Sequence, residues 1–193
     1  MIEQLSQLDQ GIFFAINHGL ANPFFDWLMP LLRNRYFWTP LYLFIAIFLV
    51  RNYGKQGWLL LVFMGLTFAF SDYTSSSVIK PAFERIRPCN DPAMKASVNS
   101  LIACGTGFSF PSSHAANHFG LAVFLITLFS HKWKYITGLA LLWAFSISFA
   151  QVYVGVHYPA DVAFGAILGS MTGYITGTIL LHLSSFNQWK PGN

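Results

Sequence analysis

Residues 159–183 read PADVAFGAILGSMTGYITGTILLHL. One carboxylate, Asp161, stands near the start, and no Lys or Arg follows within the run. The stretch exceeds the roughly 20 residues a helix needs to cross a hydrocarbon core of about 30 Å. Gly165, Gly169, Gly173 and Gly177 recur at every fourth position, with Ser170 beside them. Small residues at that spacing share a helix face and let a second helix come close inside a bilayer. The stretch therefore predicts a membrane span packed tightly on a neighbour.

Four further apolar runs precede it, at residues 36–50, 58–79, 115–129 and 133–154. The second turns polar towards its end, at Ser71, Asp72 and Thr74-Ser75-Ser76-Ser77. Several runs fall short of about 20 residues, so their polar ends are expected to dip into the protein interior. Composition agrees. The chain is 54% hydrophobic and 9% charged, against about 25% charged in soluble domains. That balance, with a mean hydropathy of +0.50, excludes an ordinary soluble protein. Trp27, Trp38, Trp58, Trp133 and Trp189 fall near the ends of apolar runs, as an interfacial belt requires. The formal net charge of +4 suits an anionic partner. The basic residues form no stripe interleaved with aromatics, so nucleic acid is not expected as a partner.

Residues 1–32 are mixed. Leu5, Leu8, Ile12, Phe13, Ile16 and Leu20 recur at helical spacing, with Glu3, Gln7, Asp9 and Asn17 between them. This reads as an amphipathic helix lying at the membrane surface, broken at Asn22-Pro23. A short apolar helix carrying Asp26 follows. Asn17 and Asp26 read as caps or interfacial groups. No basic leader precedes an apolar core, so no cleavable signal peptide is expected. The fold class is thus all-α: a polytopic transmembrane bundle of about six helical segments, five spans plus an N-terminal segment that lies on the membrane or spans it. Residues 1–193 read as a single domain.

If each of the five runs crosses once, four of their ends meet on one face: the end of the second, the start of the third, the end of the fourth and the start of the fifth. The other face carries Arg51, Lys55, Lys132, Lys134 and Lys190, and the positive-inside rule makes it cytoplasmic. That choice sets Lys80, Arg85 and Arg87 aside as substrate ligands. An outward, oxidising face permits a Cys89–Cys104 disulfide, the alternative being two free thiols.

Three polar clusters share the outward face. Lys80, Arg85 and Arg87 form the first. Arg offers a planar fork to two phosphate oxygens and Lys a point charge. A solvated basic loop would look the same. The second is Pro111-Ser112-Ser113-His114 at the start of a span. A helix N-terminus binds phosphate through free N–H groups, and His114 can give a proton to a leaving oxygen. A Ser cap with an interfacial His is the plainer alternative. The third is His157 with Asp161. Four residues apart, they lie on one helix face, where the carboxylate fixes the imidazole tautomer and frees the other nitrogen to attack. A buried structural His–Asp pair is the alternative.

In this order the clusters resemble the type 2 phosphatidic acid phosphatase superfamily, whose signature is Lys-x6-Arg-Pro, then Pro-Ser-Gly-His, then Ser-Arg-x5-His-x3-Asp. The chain has Lys80, Arg87-Pro88, Pro111-Ser112-Ser113-His114, Ala150-Gln151, His157 and Asp161. The likeness covers about residues 36–183. It implies a metal-free and cofactor-free membrane phosphatase acting on a lipid phosphate or pyrophosphate. His157 would be the nucleophile, forming a phosphohistidine. His114 would be the acid and Asp161 the orienting carboxylate. Lys80, Arg87, Ser112 and the backbone near Ser113 would hold phosphate oxygens. It also implies a bacterial cytoplasmic membrane, with the site facing the periplasm or exterior. Undecaprenyl pyrophosphate, phosphatidylglycerol phosphate, phosphatidic acid and a lipid A phosphate all fit the sequence.

Two positions depart from the pattern. Ser113 stands for Gly and keeps its backbone N–H. Gln151 stands for Arg, replacing a charged fork with a neutral donor. A charge-assisted bond contributes about 1.5–3 kcal/mol against about 1 for a neutral one. The expected loss is of order tenfold in rate unless Arg85 or another group compensates. Two other readings stay open: a phosphotransferase in which His157 passes the phosphate to another lipid in place of water, and, because of Gln151, a weakened lipid-phosphate binder. His118, one helical turn after His114, reads as an interhelical hydrogen-bonding partner, the alternative being a group that faces the site. Asp72, a carboxylate inside a span, is a functional candidate by default, the alternative being a structural group satisfied by Ser75, Ser76 and Tyr153. No Cys/His spacing supports zinc.

Overall fold

The computed structural model describes residues 2–183, which form seven helices and no strand. They are α1 (Ile2–Asn17), α2 (Pro23–Leu32), α3 (Thr39–Tyr53), α4 (Lys55–Phe83), α5 (Ser113–Phe129), α6 (Ile136–Tyr153) and α7 (Pro159–Leu183). Three of them, α4, α6 and α7, are long and apolar enough to cross a membrane, and α3 and α5 are shorter apolar helices. Trp189 and Lys190 of the sequence argument lie outside the described residues.

The glycine stripe of α7 packs on α5. A Cβ at Gly169 would lie 2.0 Å from the Ala116 carbonyl oxygen, and one at Gly173 2.1 Å from that of Gly120. The two backbones therefore touch, and no other residue type fits at the contact. A buried hydrogen bond between Thr67 and Thr176 (2.7 Å) ties α4 to α7. The large apolar side chains point the other way. Phe44, Ile47, Leu66, Leu142, Phe145, Ile167 and Met171 are all exposed. Bands of this kind on several helices are what a lipid-facing surface requires.

The polar tail of the second run stays helical. Residues Thr74–Ile79 form a π turn that carries α4 on to Phe83. The helix ends at Glu84, a non-glycine residue at φ 47°. Loop 84–112 follows, closed by a Cys89–Cys104 disulfide.

The N-terminal segment forms two helices with the break at Asn22-Pro23, as the sequence predicts, and neither is among those long enough to span. α1 presents Asp9, Phe13 and Asn17 to the protein while Leu5, Leu8 and Ile12 are exposed. Asn17 is a buried tie, not a surface group. Its amide donates to the carbonyls of Asn99 (2.9 Å) and Tyr153 (2.7 Å), and its oxygen accepts from Asn99 N–H (2.9 Å). One side chain thus joins α1, the long loop and α6. Asp26 accepts from Tyr153 Oη (2.7 Å), so that tyrosine does not reach Asp72. The Asp72 carboxylate instead accepts from Asn117 (2.9 Å), while Ser75 and Ser76 bond its backbone carbonyl.

Asn17→Leu keeps the branching and number of side-chain heavy atoms and leaves two carbonyls and one N–H without their partner in the interior. Thermal unfolding in detergent micelles should show a loss of about 2 kcal/mol or more. An unchanged midpoint would contradict the tie.

Candidate active site

His157 sits on the turn between α6 and α7. Gly155 makes that turn at φ 87°, and a Cβ there would meet Val98 Cγ1 at 2.7 Å. Both facts require glycine. The Val156 and His157 N–H groups donate to the Gln151 carbonyl (3.2 and 3.3 Å), which pins the turn to α6. His157 Nδ1 lies 3.4 Å from Asp161 Oδ2. A carboxylate oxygen accepts, so Nδ1 carries the proton and Nε2 keeps the lone pair. Burial pushes the His157 pKa down to about 4, against an opposing pull from Asp161, with Lys80 and Arg87 adding to the depression.

Asp161 is fully buried. Besides His157, its carboxylate accepts from Tyr158 N–H (2.8 Å), Ser109 Oγ and Arg85 Nη1 (2.7 Å). Arg85 also pairs with Asp9 (2.6 Å) and lies over the Tyr158 ring at 3.9 Å. Asp9 in turn caps α7 by accepting from Ala160 N–H (2.8 Å). Burial works against the Arg85 charge, but the Asp161 and Asp9 carboxylates hold its pKa above the ordinary value.

Facing this ion-pair cluster is a cavity of about 280 Å³, lined by Arg33, Lys80, Arg87, Ser113, His114 and His157 among others, none of them acidic. Lys80 Nζ donates to three backbone carbonyls, those of Phe108 (2.9 Å), Ser109 (3.2 Å) and Pro111 (2.7 Å). It holds the segment leading into α5 and leaves its charge at the cavity wall. Arg87 Nε donates to the Gly107 carbonyl (2.8 Å). Burial lowers the pKa of Arg87, and burial with the nearby Arg87 charge lowers that of Arg33.

A second opening, of about 640 Å³, runs between α3, α4 and α5. Its wall mixes Leu61, Met64, Phe68 and Leu121 with Arg35, Asp72 and Asn117. Arg33, Ser113 and His114 line both spaces. Behind His114, His118 makes an interhelical bond to Tyr42 Oη (3.1 Å) while its Nδ1 lies 2.7 Å from the His114 carbonyl. Nδ1 must donate to that carbonyl, so Tyr42 donates to Nε2.

Of the residues singled out in the sequence, the cavity brings together Lys80, Arg87, Ser113, His114 and His157, with Asp161 directly behind His157. Three others stand elsewhere. Arg85 is engaged by Asp9 and Asp161. Ser112 is buried as the N-cap of α5, where its Oγ accepts from Ala115 N–H (3.4 Å). Gln151 is buried beside Arg33, whose Nε donates to Gln151 Oε1 (3.4 Å). Arg33, Asp9 and Ser109 were not anticipated. Among the described residues no group of three or more His, Cys, Asp or Glu is arranged to hold a metal ion.

A buried histidine–aspartate pair facing a wall of cations, at the ends of apolar helices, is a site built to receive an anionic group such as a phosphate at a membrane surface. The family model of the PAP2 superfamily matches residues 56–183, and the chain belongs to that superfamily. It is 38% identical over 178 residues to a lipid A 4'-phosphatase of Bacteroides thetaiotaomicron, covering 91% of this chain and 78% of that one. Two solved structures are similar. The PAP2-type phosphatidylglycerolphosphate phosphatase of Bacillus subtilis aligns with a TM-score of 0.70 at 25% identity, over 95% of this chain and 89% of that one. LpxE of Aquifex aeolicus aligns with a TM-score of 0.63 at 28% identity, over 88% and 94%. The protein is an integral membrane lipid phosphatase.

Depression of the His157 pKa favours the neutral imidazole. In histidine-labelled protein, the ring signal missing from His157→Gln should stay neutral through pH 5.5 and titrate near 4. A midpoint near 6.5, the ordinary histidine value, would contradict the burial described here.

Proposed function

We propose that this phosphatase removes a phosphate monoester group from a lipid A-type substrate, an acylated and phosphorylated disaccharide. The position of His114 carries the reading. It stands where the cation-lined cavity meets the amphipathic groove. A phosphate seated in the cavity has its lipid in the groove, and the bond between them passes the imidazole. The groove offers polar groups for sugar hydroxyls and apolar wall for acyl chains. The 38% identity to a lipid A 4'-phosphatase supports the same substrate class.

In this reading His157 Nε2 attacks phosphorus, and the bond from phosphorus to the lipid oxygen breaks. His114 gives its proton to that oxygen. Water then attacks the phosphohistidine and passes a proton back to His114. Orthophosphate leaves, and His157 is regenerated. Asp161 keeps the Nδ1 proton in place and stabilises the ring as it gains charge. Lys80 and Arg87 offset the charge on the phosphoryl oxygens, and the N-terminus of α5 at Ser113 adds a favourable dipole. Charge stabilisation comes from the protein, so no metal takes part.

The whole chain acts as one domain, with α3 to α7 each crossing once and the site on the outward face of the cytoplasmic membrane. Arg51, Lys55, Lys132 and Lys134 on the opposite loops support that orientation, as does the disulfide in the loop beside the site.

Orthophosphate release from lipid A 4'-phosphate in mixed micelles should persist in EDTA, vanish in His157→Ala and fall about 10²–10⁴-fold in His114→Ala. Loss of turnover on chelation, or full activity without His157, would contradict the mechanism. Turnover of undecaprenyl pyrophosphate but not of lipid A phosphates would reassign the substrate.

A further inference from the structure

We propose that Arg33, carried by the end of α2, supplies the phosphate-binding guanidinium that the family signature places at position 151, and that Gln151 is the residue that positions it. The proposal rests on the phosphatase reading above. Arg33 lines the same cavity as Lys80, Arg87, His114 and His157. Its Nε donates to Gln151 Oε1 (3.4 Å). Gln151 is itself fully buried on α6, and its amide nitrogen turns back to the Ile147 carbonyl (3.4 Å) of the same helix. The glutamine oxygen is therefore the end that faces the guanidinium.

The way each cavity cation is held supports this assignment. Lys80 rests on three backbone carbonyls, Arg87 on the Gly107 carbonyl and Arg33 on the Gln151 side-chain carbonyl. All are neutral acceptors. They orient a cation without cancelling its charge, which stays available to an anion. Arg85 shows the opposite arrangement. It pairs with two carboxylates and does not line the cavity. Among the described residues no carboxylate forms an ion pair with Arg33. With Nε occupied by Gln151, the two terminal nitrogens of Arg33 remain for a bidentate grip on phosphate.

The substitution at 151 then has a physical reason. An arginine there would set a second guanidinium against Arg33 in a buried pocket, and a glutamate would neutralise it. Glutamine supplies an acceptor with no charge. The cation is relocated from α6 to α2, with no net loss from the site. Arg33 also lines the groove, so in its new position it approaches the phosphate from the side of the leaving lipid.

A charge swap tests this. Arg33→Gln should lower kcat/KM about ten- to hundredfold and weaken orthophosphate binding in calorimetry. Gln151→Arg alone should be less active than wild type. The double variant R33Q/Q151R, which returns the guanidinium to α6, should recover most of the loss. A merely structural Arg33 would give no such rescue. Arg33→Lys keeps the charge but lacks the fork, and should fall between wild type and Arg33→Gln. The proposal is overturned if folded Arg33→Gln works like wild type, if Arg33→Lys is indistinguishable from wild type, or if R33Q/Q151R is no better than the single variant. If the wild type releases phosphate from no lipid, the functional reading fails. Orthophosphate affinity across the same variants then decides the Arg33 assignment separately.

Discussion

The rest of the site depends on one buried carboxylate. Asp161 lies in the first turn of α7 with no exposure, and an isolated charge there would cost several kcal/mol. It is satisfied by donors from several parts of the chain: Tyr158 N–H and His157 from its own turn, Ser109 from the long loop, and Arg85 from the chain leaving α4. Arg85 extends the cluster to Asp9 on α1, and Asp9 returns to the start of α7 through Ala160 N–H. A carboxylate that needs all these partners fixes where the loop, the first helix and the His157 turn can sit.

The membrane sets the rest. Inside a bilayer the hydrophobic effect does not drive helices together, so close packing and polar contacts between helices take its place. The α5–α7 contact through Gly169 and Gly173 brings the starts of both helices to one end, and with them His114 and Asp161. The other end closes on an apolar cluster that includes Leu49, Leu60, Leu128 and Leu180. The chain thus keeps its polar groups at one end of an otherwise apolar bundle. That end holds two adjoining spaces, one lined by cations and one mixed, which together match a molecule with an anionic head on an apolar body.

Much of this was legible in the sequence, for reasons tied to range. Residues 159–183 are the limits of α7 itself, because Pro159 opens the helix and the apolar run is unbroken. The His157–Asp161 relation follows from a spacing of four. The second run, 58–79, was legible down to its serine-rich tail, which stays helical through a π turn at Thr74–Ile79, although the helix goes on to Phe83. At the N-terminus the break at Asn22-Pro23 was legible, but not the roles of Asp9 and Asn17, which turn inward to partners on other elements while Leu5 and Leu8 turn outward. Arg33 and Arg85 were the least visible. Arg33 meets Gln151 across 118 residues, and Arg85 meets Asp9 and Asp161 across 76 in each direction. A lone cation after an apolar helix looks like a membrane anchor, and an arginine two residues from Arg87 looks like its partner in binding. Only the three-dimensional arrangement separates the two roles.

The central claim is that His157 carries the phosphoryl group. The most direct measurement is a rapid quench of turnover with phosphate-labelled lipid, followed by mass spectrometry of the protein under alkaline conditions that preserve phosphohistidine. The account predicts a base-stable, acid-labile phosphate on His157 that accumulates when hydrolysis is slowed. Full turnover with no phosphoenzyme, or with phosphate on His114 in place of His157, would contradict it.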